Sequence, residues 1–157
     1  MVKRSEKLAF IKVREGNEDV YLRMKDFTEL SVSANPKEYT RKYIDEEMER
    51  SAVVAYQPTI SYKFDYDSQS KVHDVFLNVS EKELVGEDTV CTICIVDLSK
   101  ETEDGYYAVS RDFYIIPDSE GNDPDTYTYS GNLKAGSKKV FGYAVSDDDW
   151  QTMTFAV

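Results

Sequence analysis

The residues with which this chain could do chemistry are its two cysteines, its single histidine and its acidic runs. Cys91-Thr-Ile-Cys94 has the spacing of a redox or zinc-binding pair. A redox pair sits at a helix start, where the dipole lowers a thiol pKa, and a structural zinc site needs a second pair of ligands. Here the flanking Val90, Ile93, Ile95 and Val96 predict a strand. On a strand, residues three apart point to opposite faces, so the two sulfurs diverge. No second C-x-x-C is present, and the reading is two buried, reduced cysteines. His73 is the only histidine, so any Ser-His-Asp or Cys-His centre would have to use it. It lies next to Val72 beside an apolar stripe, and no G-x-S-x-G elbow occurs, which predicts a structural role. Residues 118–125 and 147–149 are acidic enough to attract a hard cation. Neither has EF-hand spacing, because Gly121 falls out of place and no closing Glu follows. A carboxylate pair for glycoside cleavage would have to be assembled in space, and nothing in the spacing of 30 acidic residues selects one. No Gly-rich phosphate loop appears. The expectation is a chain with no catalytic, cofactor or metal site, and so a binding or structural protein rather than an enzyme.

The elements that would position these residues are mostly strands. Residues 8–13 and 20–24 alternate about Gly16-Asn17, which predicts a hairpin. Residues 27–33 form a third strand, broken at Asn35-Pro36. Residues 39–46 and 52–56 are placed to pair across a charged turn. Residues 59–66 alternate, with Ile60, Tyr62, Phe64 and Tyr66 inward and Thr59, Ser61, Lys63 and Asp65 outward. One segment has helical period: Val72, Val75, Phe76 and Val79 make a single stripe, with Ser68 or Ser70 as cap and Gly86 following the end. A strand over 75–79 competes with it. Residues 89–98 are apolar on both faces, as in a central strand. Strands over 106–116, ending at Pro117, and over 126–133, 140–145 and 152–157 complete the pattern around a polar loop at 118–125. Eight to ten strands with one flanking α-helix predict a mainly β, two-sheet sandwich or barrel.

Length and charge set the outer bounds. The chain has 157 residues, which fits one domain over 1–157. Its 12 tyrosines favour sheet and contact surface over a helical bundle. The formal charge is −11, and because residues 1–50 are balanced, the whole excess falls in residues 51–157. An acidic surface repels phosphate backbones, which argues against tight nucleic-acid binding. No apolar segment follows the charged start, and the longest apolar run, 52–56, is too short to span a bilayer. Folding in a reducing cytoplasm is the default expectation.

The most unusual block is 27–64. Two alternating stretches flank a highly charged middle that has strand character but almost no core-forming run. A single folded subunit has little use for such an arm, whereas a subunit that grips its neighbours does. The arm is predicted as a protruding hairpin at about 36–52. The residues expected to contact a neighbour are Lys37, Glu38, Tyr39, Arg41, Lys42, Tyr43, Asp45, Glu46, Glu47 and Arg50.

Four stretches resemble the tail tube (major tail) proteins of phages and prophages of Gram-positive bacteria. They are 30–46 (LSVSANPKEYTRKYIDE), 56–64 (YQPTISYKF) with Val72-His73, 105–113 (GYYAVSRDF) with Pro117-Asp118, and 126–135 (TYTYSGNLKA) with Gly142 beyond. The resemblance implies two packed β-sheets with a flanking helix. It also implies six-copy rings stacked into a tube and a lumen through which DNA passes without specific binding. The implied partners are the chain itself, tape-measure, tail-tip or baseplate and tail-terminator proteins, and a sheath as a further candidate. The implied location is the virion tail, assembled in the host cytoplasm, with no membrane contact. Two other readings stay open from the residues: the inner tube of a tail-like bacteriocin or injection system, and a monomeric β-sandwich that binds carbohydrate through its tyrosines.

Overall fold

The computed structural model describes residues 1–121 and 123–157. The strands are β1 (Lys7–Glu15), β2 (Glu18–Arg23), β3 (Phe27–Ser33), β4 (Pro36–Arg41), β5 (Arg50–Tyr56) and β6 (Thr59–Asp65). The α-helix α1 (Lys71–Glu81) follows, then β7 (Val90–Thr102), β8 (Gly105–Glu120), β9 (Thr128–Ala135), β10 (Val140–Val145) and β11 (Thr152–Ala156). The protein is mainly β, as its alternation predicts.

Six of these strands close on themselves. β1 pairs with β2 and β7, β7 with β8, β8 with β10, β10 with β11, and β11 with β2, all antiparallel. Closure removes the open edges that a flat sheet would leave. A six-stranded barrel is narrow, so its interior takes small residues beside a few large ones. Leu8, Phe10, Cys94, Val96, Ala108, Ala144 and Met153 fill it. Gly142 leaves room for the end of β11: a Cβ there would lie 2.2 Å from the Ala156 carbonyl oxygen.

β8 is long because it serves two neighbours. Its first half pairs with β10, from Tyr106 to Ser110, and its second half pairs with β9, from Phe113 to Glu120. β9 pairs onward with β6, and β6 with β3. These three strands form a wing that extends from the barrel. The wing and α1 pack over the outer face of β1, β7 and β8, which makes a second core on the far side of the same strands. That core holds Ile11, Ile60, Tyr62, Phe64, Phe76, Ile93, Phe113, Ile115 and Leu133. β1, β7 and β8 are therefore apolar on both faces, the central-strand pattern of 89–98.

Pro117 does not end the strand. β8 continues to Glu120, and its register shifts between Pro117 and Ser119. A bulge tolerates a residue with no N–H to donate, and Gly131 opposite Pro117 lets the backbones close: a Cβ on Gly131 would lie 2.4 Å from the Ile116 carbonyl oxygen. The expected 118–125 loop is thus partly strand; Asn122 lies outside the described residues. Gly86 does not follow the helix end either. Glu83 takes the left-handed conformation (φ 49°), Leu84 N–H donates to Val79 C=O, and Gly86 opens a short 3₁₀ turn (Gly86–Thr89) instead. The helix start is as read: the Ser70 hydroxyl accepts from His73 N–H at 3.2 Å.

Residues 27–64 form one long hairpin with a joint. Its root is the β3–β6 ladder and its outer half is a separate two-stranded sheet, β4–β5. The joint is at Asn35, whose left-handed backbone (φ 45°) and Pro36 bend the ribbon. Asn35 Nδ2 donates to Gln57 C=O and to Thr59 Oγ1, holding the two halves together. The first outer strand stops at Arg41, five residues short of the expected Glu46, because the chain turns at Tyr43–Glu46 (Glu46 N–H to Tyr43 C=O, 3.1 Å).

Candidate functional site

The cysteines, the histidine and the acidic runs are accounted for structurally. Cys91 lies in the core under the wing, and Cys94 lies in the barrel interior on the opposite face of β7. Both are free, and burial pushes both thiols up to about 12. His73 is fully buried at the start of α1. Its Nδ1 accepts from Asp67 N–H at 3.0 Å, so its Nε2–H donates to Lys25 C=O at 2.9 Å. Its ring stacks on Phe64 at 4.4 Å and meets Phe27 edge-on at 5.6 Å. The ring therefore ties the helix start to both turns that hold the wing. Asp148 accepts from Thr152 Oγ1, Thr152 N–H and Ser146 Oγ, which closes the β10–β11 connection. Those hydrogen bonds hold its carboxyl well below the usual range, at about 2. Glu120 accepts from the Tyr127 hydroxyl at 2.7 Å. Among the described residues no group of three or more His, Cys, Asp or Glu could hold a metal ion.

What the fold leaves unexplained is the outer hairpin. Every residue of β4 and β5 is exposed. Lys37, Glu38, Tyr39 and Arg41 lie on β4 and Arg50 on β5; Lys42, Tyr43, Asp45, Glu46 and Glu47 form the tip. Local contacts order the ribbon but cover little. Arg41 lies over the Tyr39 ring and Arg50 over the Tyr43 ring, each at 5.2 Å from the centroid. Arg50 is also paired with Glu46. Ile44 is 107% exposed and Met48 79%, and Val54 and Tyr56 are more than 60% exposed along the shaft. An isolated two-stranded hairpin is marginal in water, and this one displays an apolar tip at its far end. Tip residues Asp45, Glu47 and Glu49 form no ion pair among the described residues. Among the described residues the root strand β3 pairs with β6 alone, so its outer edge carries no ladder. Arg4 reaches that edge at Leu30 C=O.

At the root of the hairpin lies a groove of about 580 Å³. Its floor is the outer face of β7 and β8 with the inner edge of the wing: Ile60, Ile93, Ile95 and Val109. Tyr107 and Phe141, stacked at 6.4 Å, form one wall, and Val32 and Tyr56 the other. Lys7, Lys100, Arg111 and Lys139 line it, against one carboxylate, Asp97. Hydrogen bonds from Ser99 hold Asp97 below the usual carboxylate range, with Lys7 and Lys100 adding to the effect. Arg111 Nε is buried with no hydrogen-bond partner, and neither Arg111 nor Lys139 is in an ion pair among the described residues. Sequence reasoning misses this groove because its cations come from four separate strands and loops. The available signal is Lys138-Lys139, a basic pair inside the acidic part of the chain.

No protein-family model matches this chain, and no curated protein matches it. Among solved structures, a chain in the cryo-EM structure of the anti-feeding prophage (AFP) baseplate, 6-fold symmetrised, is similar over 88% of this chain and 93% of that chain, at 9% identity and a TM-score of 0.49. A likeness of that size assigns no function. No helix among the described residues is long and apolar enough to cross a membrane.

Proposed function

We propose that this chain is a structural subunit of a phage-tail-like particle, joining copies of itself through the outer hairpin and the open β3 edge. The observation that carries the reading is the free-standing hairpin with its exposed Ile44 and Met48. Ordering a ribbon costs about 1–2 kcal/mol per residue in backbone entropy, and this ribbon regains little by burial in its own subunit. A neighbour's surface supplies the missing burial. An unpaired strand edge is a hazard in a monomer and a joining surface in a ring. A heterologous contact that closes makes a ring, and one that does not makes a filament.

In the finer form of the proposal, six copies make a ring and rings stack into a tail tube for DNA delivery. The partners would be a tape-measure protein, tail-tip or baseplate and terminator proteins, and a sheath as a further candidate. The particle would assemble in the host cytoplasm. The resemblance of residues 30–46, 56–64, 105–113 and 126–135 to tail tube proteins supports this form. The net charge of −11 per copy fits a wall to which DNA does not adhere. On this reading the chain is not an enzyme and uses no cofactor. Negative-stain microscopy of concentrated protein tests it. Rings or tubes of uniform width are expected. A chain that stays monomeric at every concentration, even with a tail-tip initiator complex present, overturns the reading and favours a monomeric binding module.

A further inference from the structure

The groove at the hairpin root reverses the sign of the molecule around it. The chain carries −11 overall, yet Lys7, Lys100, Arg111 and Lys139 converge here against Asp97 alone. A buried guanidinium nitrogen without an acceptor costs free energy unless something arrives to accept from it. Arg111 Nε is in that position, on an apolar floor. The ligand such a groove fits has carboxylates around an exposed apolar side chain.

The chain itself carries such a segment at the far end of its free-standing hairpin, among the described residues the one element whose residues are exposed on both strands. Residues 42–49 present the unpaired carboxylates of Asp45, Glu47 and Glu49 around Ile44 and Met48. We infer that the hairpin tip of one copy docks in the root groove of a second copy, placing Ile44 and Met48 on the Ile93–Ile95–Val109 floor and its carboxylates against Arg111 and Lys139. The tip cannot fill its own groove. Six strand residues separate it from the root, roughly 20 Å at about 3.3 Å per residue, and a paired ribbon does not fold back on itself over that distance. Tip and groove at opposite ends of an extended arm make a head-to-tail contact, which repeats from copy to copy. The inference rests on the self-association proposed above and supplies its recognition chemistry.

Two experiments on the full chain test it. In the first, Met48→Cys protein is mixed with Phe141→Cys protein under mild oxidation. The native cysteines are buried on opposite faces of β7 and stay out of the reaction. Disulfide-linked dimer is expected well above the level given by Met48→Cys with Glu18→Cys, which lies at the far β1–β2 turn. In the second, Asp45, Glu47 and Glu49 are changed to Lys in one protein, and Arg111 and Lys139 to Glu in another. Sedimentation of each alone should show association weakened roughly tenfold or more, because like charges now face each other. An equal mixture should recover it, since each tip then meets a groove of opposite sign. Circular dichroism establishes that both variants are folded. Control-level trapping, or reversed variants that associate like the native chain, overturns the inference. Microscopy separates the two ideas: tubes with control-level trapping leave the tube and remove the docking, and trapped dimers without tubes do the reverse.

Discussion

His73→Ala should cost this protein a large part of its stability, although His73 touches nothing outside the fold. The ring is fully buried and spans Asp67 N–H and Lys25 C=O at 3.0 and 2.9 Å. Removing it orphans both groups, at about 1–3 kcal/mol each. It also opens a cavity beside Phe64 and Phe27, where truncation of a buried ring costs about 2 kcal/mol or more. The expected loss is about 4–8 kcal/mol, against a total of about 5–15 kcal/mol for a domain of ordinary stability. For a chain of this length, about 2–4 °C of Tm goes with each kcal/mol, so Tm should fall by roughly 10–30 °C. His73→Phe separates the terms. It keeps the ring and its stacking but orphans the same two backbone groups, and should lose about 2–6 kcal/mol. Urea and thermal unfolding followed by circular dichroism give both values. If His73→Phe unfolds within about 0.5 kcal/mol of the native protein, the two hydrogen bonds do not hold the wing and the reasoning fails.

Other outcomes follow from the same geometry. Asp148→Asn should destabilise the chain near neutral pH. The folded carboxyl is held down at about 2 by Thr152 and Ser146, so its contribution is present above the ordinary carboxylate pKa of about 4 and is lost as pH falls through about 2. The gap between native and variant unfolding curves should therefore close over that window, and a gap independent of pH contradicts the assignment. Cys91 and Cys94, with thiols raised to about 12 by burial, should resist a thiol reagent at pH 8 in the folded protein and react fully in denaturant; rapid labelling of the native chain counts against their placement. Amides of β4 and β5 should exchange orders of magnitude faster than those of β7 and β8 in the isolated subunit and slow on assembly. Equal protection in both states shows that the hairpin is not the part that gains contacts.

Local pattern made much of this fold legible. Ile60, Tyr62 and Phe64 alternate against Thr59, Ser61 and Lys63, and β6 buries that face. The Val72–Val75–Phe76–Val79 stripe with Ser70 ahead of it gives α1 and its cap. Cys91 and Cys94 diverge because they are three apart on a strand. A sandwich or barrel was legible as a class, but which strands close it was not, because closure depends on β8 meeting β10 with one half and β9 with the other, and a single strand's sequence records neither partner. Pro117 misleads for a related reason: a bulge opposite Gly131 absorbs the missing donor, and that glycine is fourteen residues away. The hairpin is visible as charge and strand propensity without a core. The groove is not, because Lys7, Lys100, Arg111 and Lys139 become neighbours only when β1, β7, β8 and the β9–β10 turn are laid side by side.

The most direct test of self-association through the hairpin compares the native chain with one in which residues 42–49 are replaced by a two-residue Asn-Gly turn, a type I′ connection that suits a short hairpin. Both are concentrated, with a tail-tip initiator complex present, and followed by analytical sedimentation and negative-stain microscopy. The native chain should give rings or tubes of uniform width. The shortened chain should keep the same circular dichroism and unfolding midpoint and remain a subunit. Tubes of equal length and yield from the shortened chain would contradict the account.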